Sequence, residues 1–589
     1  MSWTILAVLL VGCGQVSDRP DGLELLEPTD HLVRASMAVR GTRPTEAEFA
    51  QVEANPEALG TMVDIWLQSP EFGATIRDMW AEVLLLRNDT FNQLPALGEL
   101  DGYVLDDMYQ GTVEEPLRYI EHLVMADRPF TDLVTGQDMM AGEVTAKIYG
   151  VPYDFDRGGW QLSSWPDARP RAGILSSAQV WRRWESDGSN FNRARANMVA
   201  ARLLCEDFET RDILVDGGID IADEFAVAHA VQSREDCVSC HQSLDPLAAY
   251  FWGYKRLIHR NYVADSITGG CRFNWADGRR PEFGPSYLPE DYCYPIKQYN
   301  PADEDDWYDW ELREPSYYGV RAHDLAEVGE LIAADPRFSQ CMARQFFGYL
   351  TQLEPEEVPF ELAVELQGRF EASGFSARQL VRDIVLHPQF AAIRANDPEH
   401  PVAGLRTIRP EQFSRTVEEL TGFRWMARAD PPNCNNPSRA DVQRFGTQCW
   451  GVVELTTTDV YGFRSMQGGV DGKVILDPTH TVTPTKALTM AQLAGNAAAY
   501  VVDTDLALPR AQRRLLRLVE AGTTDKGAVK AQIAALHLRI LGQRHEPGGA
   551  DVRATYKLFE LGRETRGSAA GGWALVIATL LQDPRMMFW

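Results

Sequence analysis

Apolar residues recur three and four positions apart through most of this chain, the period of a helix that turns one face inward. Leu325, Val328, Leu331 and Ile332 form one such stripe, and Val529, Ile533, Leu536 and Ile540 form another. Strict alternation of apolar and polar residues, which marks a half-buried strand, is rare and short. The pattern therefore predicts a mainly α, multi-domain helical protein. Two stretches break the helical period. Residues 260–318 are dense in Gly, Pro, Tyr and Trp and read as a long, ordered, irregular insertion; residues 426–482 are irregular as well. Residues 14–30 are polar, contain Pro20 and Pro28, and read as a linker.

A weak repeat runs through the pattern. "AVRGTRPTEAEF" leads to "MVDIWLQSPEF" near the start, "GYLTQLEPEEVPF" leads to "LVRDIVLHPQF" in the middle, and "RILGQRHEPGGAD" leads to "VIATLLQDPRMMF" at the end. Each unit reads as a helix, a polar turn containing proline, a second helix and a third helix. Pro70, Pro388 and Pro584 are expected to stop those third helices, because proline lacks a backbone N–H and clashes with the preceding turn.

Composition narrows the class. A chain of 589 residues exceeds what one core holds, so two to four domains are expected, and 45% apolar content is ample for packing. A formal net charge of −27 opposes binding to a polyanion, so no nucleic-acid partner is expected. The first residues, "MSWTILAVLLVGCGQVSD", place a short apolar run directly before Gly12 and Cys13 and then turn polar. That arrangement resembles a bacterial lipoprotein signal, which is cut before the cysteine that receives the lipid. The expectation is a signal over 1–13, a lipid on Cys13 and a location in the cell envelope. Gly14 in place of an aspartate points to the outer membrane, on its periplasmic or surface face. An ordinary secretory signal is the alternative.

Export would put the remaining cysteines in an oxidising compartment, where pairing is favoured. Cys271 and Cys293 bracket one loop-like segment, Cys434 and Cys449 bracket another, and Cys205 with Cys341 remain for a long-range bridge. Cys237 and Cys240 belong to a different pattern, "CVSCH", in which His241 follows the second thiol directly. Two cysteines with two residues between them match the separation of the porphyrin vinyl groups to which they add, and the adjacent histidine supplies nitrogen to iron. Composition alone gives a chance expectation of roughly 0.002 such matches in the chain. Haem c bound by Cys237, Cys240 and His241 is the expected reading. A zinc site lacks a second ligand pair, a thioredoxin-like motif lacks its βαβ context, and a plain structural disulfide with a bystander histidine stays open.

Around this motif, "RAGILSSAQVW", "ARLLCEDF", "REDCVSCHQSLDPLAAYFWGYKRL" and "ADPRFSQCMARQFFGYL…GFSARQLVRDIVLHPQF" resemble consecutive blocks of the planctomycete-type cytochrome c proteins, large secreted proteins without an established activity. "LRTIRPEQFSRTVEELTG" and "TVTPTKALTMAQLAGNAAAYVV" resemble a helical domain of the same group. Asp245-Pro246-Leu247-Ala248-Ala249 departs from that family's usual Asp-Pro-Leu-Gly-Phe, and the insertion after Arg260 is unusually long. The resemblance implies one covalent haem c and an envelope location. It divides the chain into an N-terminal helical domain (31–170), a cytochrome-c-like region (171–395, with the insertion 260–318) and a C-terminal helical domain (396–589).

Iron carried on His241 has a second face. A methionine or histidine there suits electron transfer, whereas an open face admits small ligands. No methionine lies between His241 and Cys341, so the candidates are His259, His323 and Met342, or no ligand. Each has a plainer reading, His259 as a polar helix or loop residue and Met342 as core packing on an amphipathic helix. The expected function is electron transfer or redox-linked activity with an envelope redox or structural protein partner. The alternatives are a surface scaffold or glycan-binding protein with a structural haem, and a haem enzyme with an open distal site. The acidic run from Asp303, interleaved with Trp307, Tyr308 and Trp310, lacks calcium-loop spacing and reads as a solvated loop. Trp160 and Trp165 more plainly close a loop over a core than line a sugar groove. No Gly-x-Gly-x-x-Gly, Walker, His-Glu-x-x-His or Gly-x-Ser-x-Gly motif occurs.

Overall fold

The repeat seen in the sequence folds three times into one local design. In a computed structural model, the first unit comprises helices Pro28–Arg40, Glu46–Ala54, Ala58–Trp66 and Pro70–Val83. The second comprises Pro336–Thr351, Phe360–Ala372, Ala377–Val385 and Pro388–Ala391, and the third Lys526–Leu541, Ala550–Arg566, Ala569–Leu581 and Pro584–Met587. The structure describes residues 22–88, 96, 100, 102–186, 190–211, 218–220, 223–254, 262–264, 271–273, 294–296, 298–310, 313–395, 402, 404–430, 434 and 449–589.

In every unit the opening helix ends on a left-handed residue: Gly41 at φ 65°, Gln352 at φ 61° and Gly542 at φ 70°. Glycine adopts that conformation without a Cβ penalty, and glutamine does not. Gln352 is held there by its side-chain amide, which donates to the Thr407 carbonyl at 2.6 Å and accepts from the Thr407 N–H at 2.9 Å. The prolines depart from expectation. Pro70, Pro388 and Pro584 stand in the first turn of a new helix rather than closing the previous one. Ser69, His387 and Asp583 precede them as N-caps and accept from the N–H groups of Phe72, Gln389 and Arg585. A proline at a helix start forfeits only an N–H that has no intrahelical partner anyway.

The chain is mainly α and multi-domain. Its apolar stripes pack into a large core cluster with members from Leu32 to Trp589, beside a second, smaller cluster that includes Ile148, Tyr149, Trp165 and Ile296. Leu325, Val328 and Ile332, like Val529, Ile533, Leu536 and Ile540, are all buried, and Leu331 packs on the core's margin. Buried arginines stitch distant segments together. Arg34 donates to the carbonyls of Phe390 at 3.1 Å and Ala392 at 2.8 Å. Arg406 lies over the Phe390 ring, and its backbone exchanges hydrogen bonds with Trp589.

The linker expected over 14–30 is corrected from residue 23 onward. Leu23–Leu25 pairs antiparallel with Ala392–Ala395, and Pro28 opens the first helix. The alternation in Leu-Glu-Leu suits a strand, and Pro28 opens a helix as Pro70 does. Residues 1–21, with Cys13 among them, lie outside the described residues.

Within the insertion 260–318, Tyr262–Ala264 pairs with Cys271–Phe273, and Pro301–Trp310 winds as a 3₁₀-helix whose Tyr308 is exposed. Met426–Arg428 pairs with Val452–Glu454 in the other irregular stretch. Trp165 is buried against Tyr149, with Arg169 over its ring, which is the loop-closing role. Among the described residues, disulfides join Cys205 to Cys341 and Cys434 to Cys449. Cys293, and with it the expected pairing to Cys271, lies outside the described residues. Among the described residues no helix is long and apolar enough to cross a membrane.

Candidate functional site

Cys237, Cys240 and His241 lie on one helix, Glu235–Ala248. Glu235 and Asp236 occupy its first turn, where carboxylates favour the positive end of the helix dipole, and the Asp236 carboxylate also accepts from the Cys237 N–H at 3.1 Å. The two thiols are one turn apart and therefore share a face. They are not bonded to each other. Cys240 is buried and Cys237 half-buried. Burial, reinforced by the Asp236 charge, pushes the Cys237 thiol above its ordinary pKa. The first half of the helix is largely accessible, and the second half, from Leu244 to Ala248, is buried.

Beside this face runs a cleft of about 260 Å³. Cys237, Cys240, His241 and Leu244 form one wall, and Arg193, Ala194 and Asn197 of helix Arg193–Leu203 form the other, with Phe208 at its edge. The lining mixes apolar Ala194, Phe208 and Leu244 with polar Asn190, Asn197 and His241. Asn197 is itself tied down, accepting from the Phe208 N–H and donating to Asp207, both at 2.9 Å.

His241 is the best-oriented group of the site. Its Nδ1 lies 2.9 Å from Oδ1 of Asp245, one turn further along the same helix. Asp245 is almost fully buried, and Arg193 reaches across from the facing helix to grip it with two bonds, Nε to Oδ1 at 2.7 Å and Nη2 to Oδ2 at 3.1 Å. Burial alone would raise the Asp245 carboxyl; the hydrogen bonds from His241 and Arg193, with the Arg193 charge, outweigh it and hold the pKa below the usual carboxylate range. Arg193 follows two consecutive left-handed residues, Phe191 at φ 54° and Asn192 at φ 62°. Non-glycine residues in that region each cost about 1–3 kcal/mol, which surrounding contacts must offset. Here the Asn192 N–H donates to Ser186 at 2.7 Å, its side-chain oxygen accepts from Arg195, and Arg193 lies over the Phe191 ring.

The three expected site residues thus stand together. The proposed distal ligands do not join them: among the described residues neither His323 nor Met342 lines the cleft. His323 is exposed, its N–H donating to Glu327 just before helix Leu325–Ala334. Met342 is fully buried on helix Pro336–Thr351, in the plainer role of core packing. His259 lies outside the described residues. Sequence reasoning passed over Arg193 and the role of Asp245. An aspartate four residues after a histidine on a helix was a readable signal; Arg193, remote in sequence, left none.

One further grouping, Asp430 with Cys434 and Cys449, brings metal-ligating atoms together, but its two sulfurs are already bonded to each other and Asp430 accepts from the Gly451 N–H. It is a loop staple. The chain matches no protein-family model, no curated protein and no solved structure.

Proposed function

We propose that this chain is an exported, lipid-anchored cell-envelope protein that carries one haem c on Cys237, Cys240 and His241 and exchanges single electrons with an envelope protein partner, as a member of the group resembling planctomycete-type cytochrome c proteins. The observation that carries the reading is the pair of unbonded thiols, one helical turn apart, directly before a histidine whose Nδ1 is already committed. Cys205 with Cys341 and Cys434 with Cys449 are bonded in pairs, so two thiols that stay apart beside a cleft point to a different use. The donor set fits the group. Two thiols at this spacing suit thioether attachment, the second imidazole nitrogen is left to act as ligand, and Ala194, Phe208 and Leu244 offer apolar contact to a porphyrin. Bound there, haem supplies a one-electron couple. The protein's own part is to fix the imidazole, limit water at the cleft and present an edge to the partner.

Protein matured with haem-attachment machinery tests the proposal. Intact mass should increase by one porphyrin, and a Soret band should appear. A low-spin spectrum indifferent to carbon monoxide would support electron transfer; ready carbon monoxide binding would redirect the reading to a haem enzyme. Mature protein without added mass would end the redox account and leave the scaffold reading.

A further inference from the structure

Two side chains of the cleft wall, Arg193 and His241, converge on Asp245 behind them, both donating to its carboxylate. A carboxylate only accepts hydrogen bonds, so a neutral imidazole facing it carries its single proton on Nδ1. Nε2 then keeps a lone pair. Asp245 does not itself line the cleft, and it reaches the ligand position only through His241. Arg193 binds both carboxylate oxygens in a fork, which removes the freedom of Asp245 to rotate away. The strained turn at Phe191 and Asn192 delivers Arg193 to that grip.

From this geometry we infer that Asp245, locked by Arg193, is a positioning residue that fixes the tautomer and ring orientation of His241 and tunes the iron couple through the imidazole. The inference rests on the haem reading above and deepens it. A carboxylate behind a ligating histidine makes the ring a stronger donor, which favours the oxidised metal. Asp245→Asn keeps an acceptor but removes the charge, so the reduced state gains. Arg193→Gln leaves the carboxylate charge uncompensated, so the oxidised state gains.

Two measurements test this. In unloaded protein with labelled histidine, nitrogen resonances should show His241 with its proton on Nδ1, and Asp245→Leu should shift the population toward the Nε2-protonated form that imidazole prefers in water. In haem-loaded protein, redox titration should show Asp245→Asn raising the ferrous-to-ferric ratio at fixed potential by about tenfold, equivalent to about 59 mV for one electron. Arg193→Gln should move the ratio the opposite way. Equal titrations of wild type and both variants, or shifts in one common direction, would overturn the tuning role, since a simple brace between helices predicts no opposed pair. An Nε2-protonated His241 in wild type would overturn the positioning role. If Asp245→Asn does not fold, Arg193→Gln against wild type still decides. Wild type that matures without porphyrin would overturn the haem reading and the tuning role together, and the tautomer would still judge positioning.

Discussion

Helix Arg193–Leu203 serves two cysteine pairs with opposite fates. Just beyond its C-terminal end, Cys205 is bonded to Cys341 across 136 residues, beside the buried face of helix Pro336–Thr351. Along its flank, Cys237 and Cys240 sit three residues apart and remain thiols. The first pair spends its chemistry on the fold, where a long closed loop removes many unfolded conformations. The second leaves its sulfurs facing a cleft, supported by a histidine whose orientation is fixed from behind. The two pairs thus differ in what stands next to each: a partner cysteine in one, a cleft and a held imidazole in the other.

That contrast breaks most completely at the motif. Replacing Cys237 and Cys240 together with alanine should abolish covalent haem while circular dichroism and thermal midpoint stay near those of the unloaded parent; retained covalent haem would refute the assignment. Replacing Cys205 and Cys341 with alanine should do the converse. Loss of so long a loop closure costs about 4–5 kcal/mol, read as a lower denaturant midpoint, and the folded fraction should still take haem. Arg87→Met probes the buried ionic core, where Arg87 holds Asp78 at 2.7 Å and Glu114 at 3.1 Å; Asp78 keeps Arg415 and Glu114 keeps Arg77, so losing these charged hydrogen bonds should cost about 1.5–3 kcal/mol by the same assay.

Glu115 sharpens the comparison with Asp245, since both are buried carboxylates. Burial pushes Glu115 up to about 8, the Ser177 hydroxyl and the Arg169 charge offsetting only part of the cost. Its folded pKa lies above the unfolded value, so the folded state holds the extra proton and stability falls as pH rises from about 4.5 to 8. Glu115→Gln should flatten that slope; an unchanged slope would show the carboxyl to be ionised in the fold. The smallest effects belong to the two candidates that stand away from the cleft. Met342→Leu should cost under about 1.5 kcal/mol, and neither it nor His323→Ala should alter the spectrum of loaded protein.

The helical architecture was readable because periodic stripes such as Val529 to Ile540 turn one face into the core. The motif was readable because its three residues are adjacent. What escaped depended on distance in sequence. Arg193 meets Asp245 across 52 residues, and no local pattern announces a partner that far away. The prolines were read as stops because a helix end and the next helix start coincide within a few residues, and only the caps on Ser69, His387 and Asp583 separate the two. The strand at Leu23–Leu25 was missed because three residues are too few for alternation to stand out from polar neighbours.

That short strand also bears on how the molecule stands at a membrane. Pairing with Ala392–Ala395 clamps the chain at Leu23. Ten peptide units separate Cys13 from Leu23, and a fully stretched chain of that length spans about 35 Å. A lipid on Cys13 would therefore act as a short leash, keeping this sheet edge near the headgroups and restricting which sides of the protein a diffusing redox partner reaches.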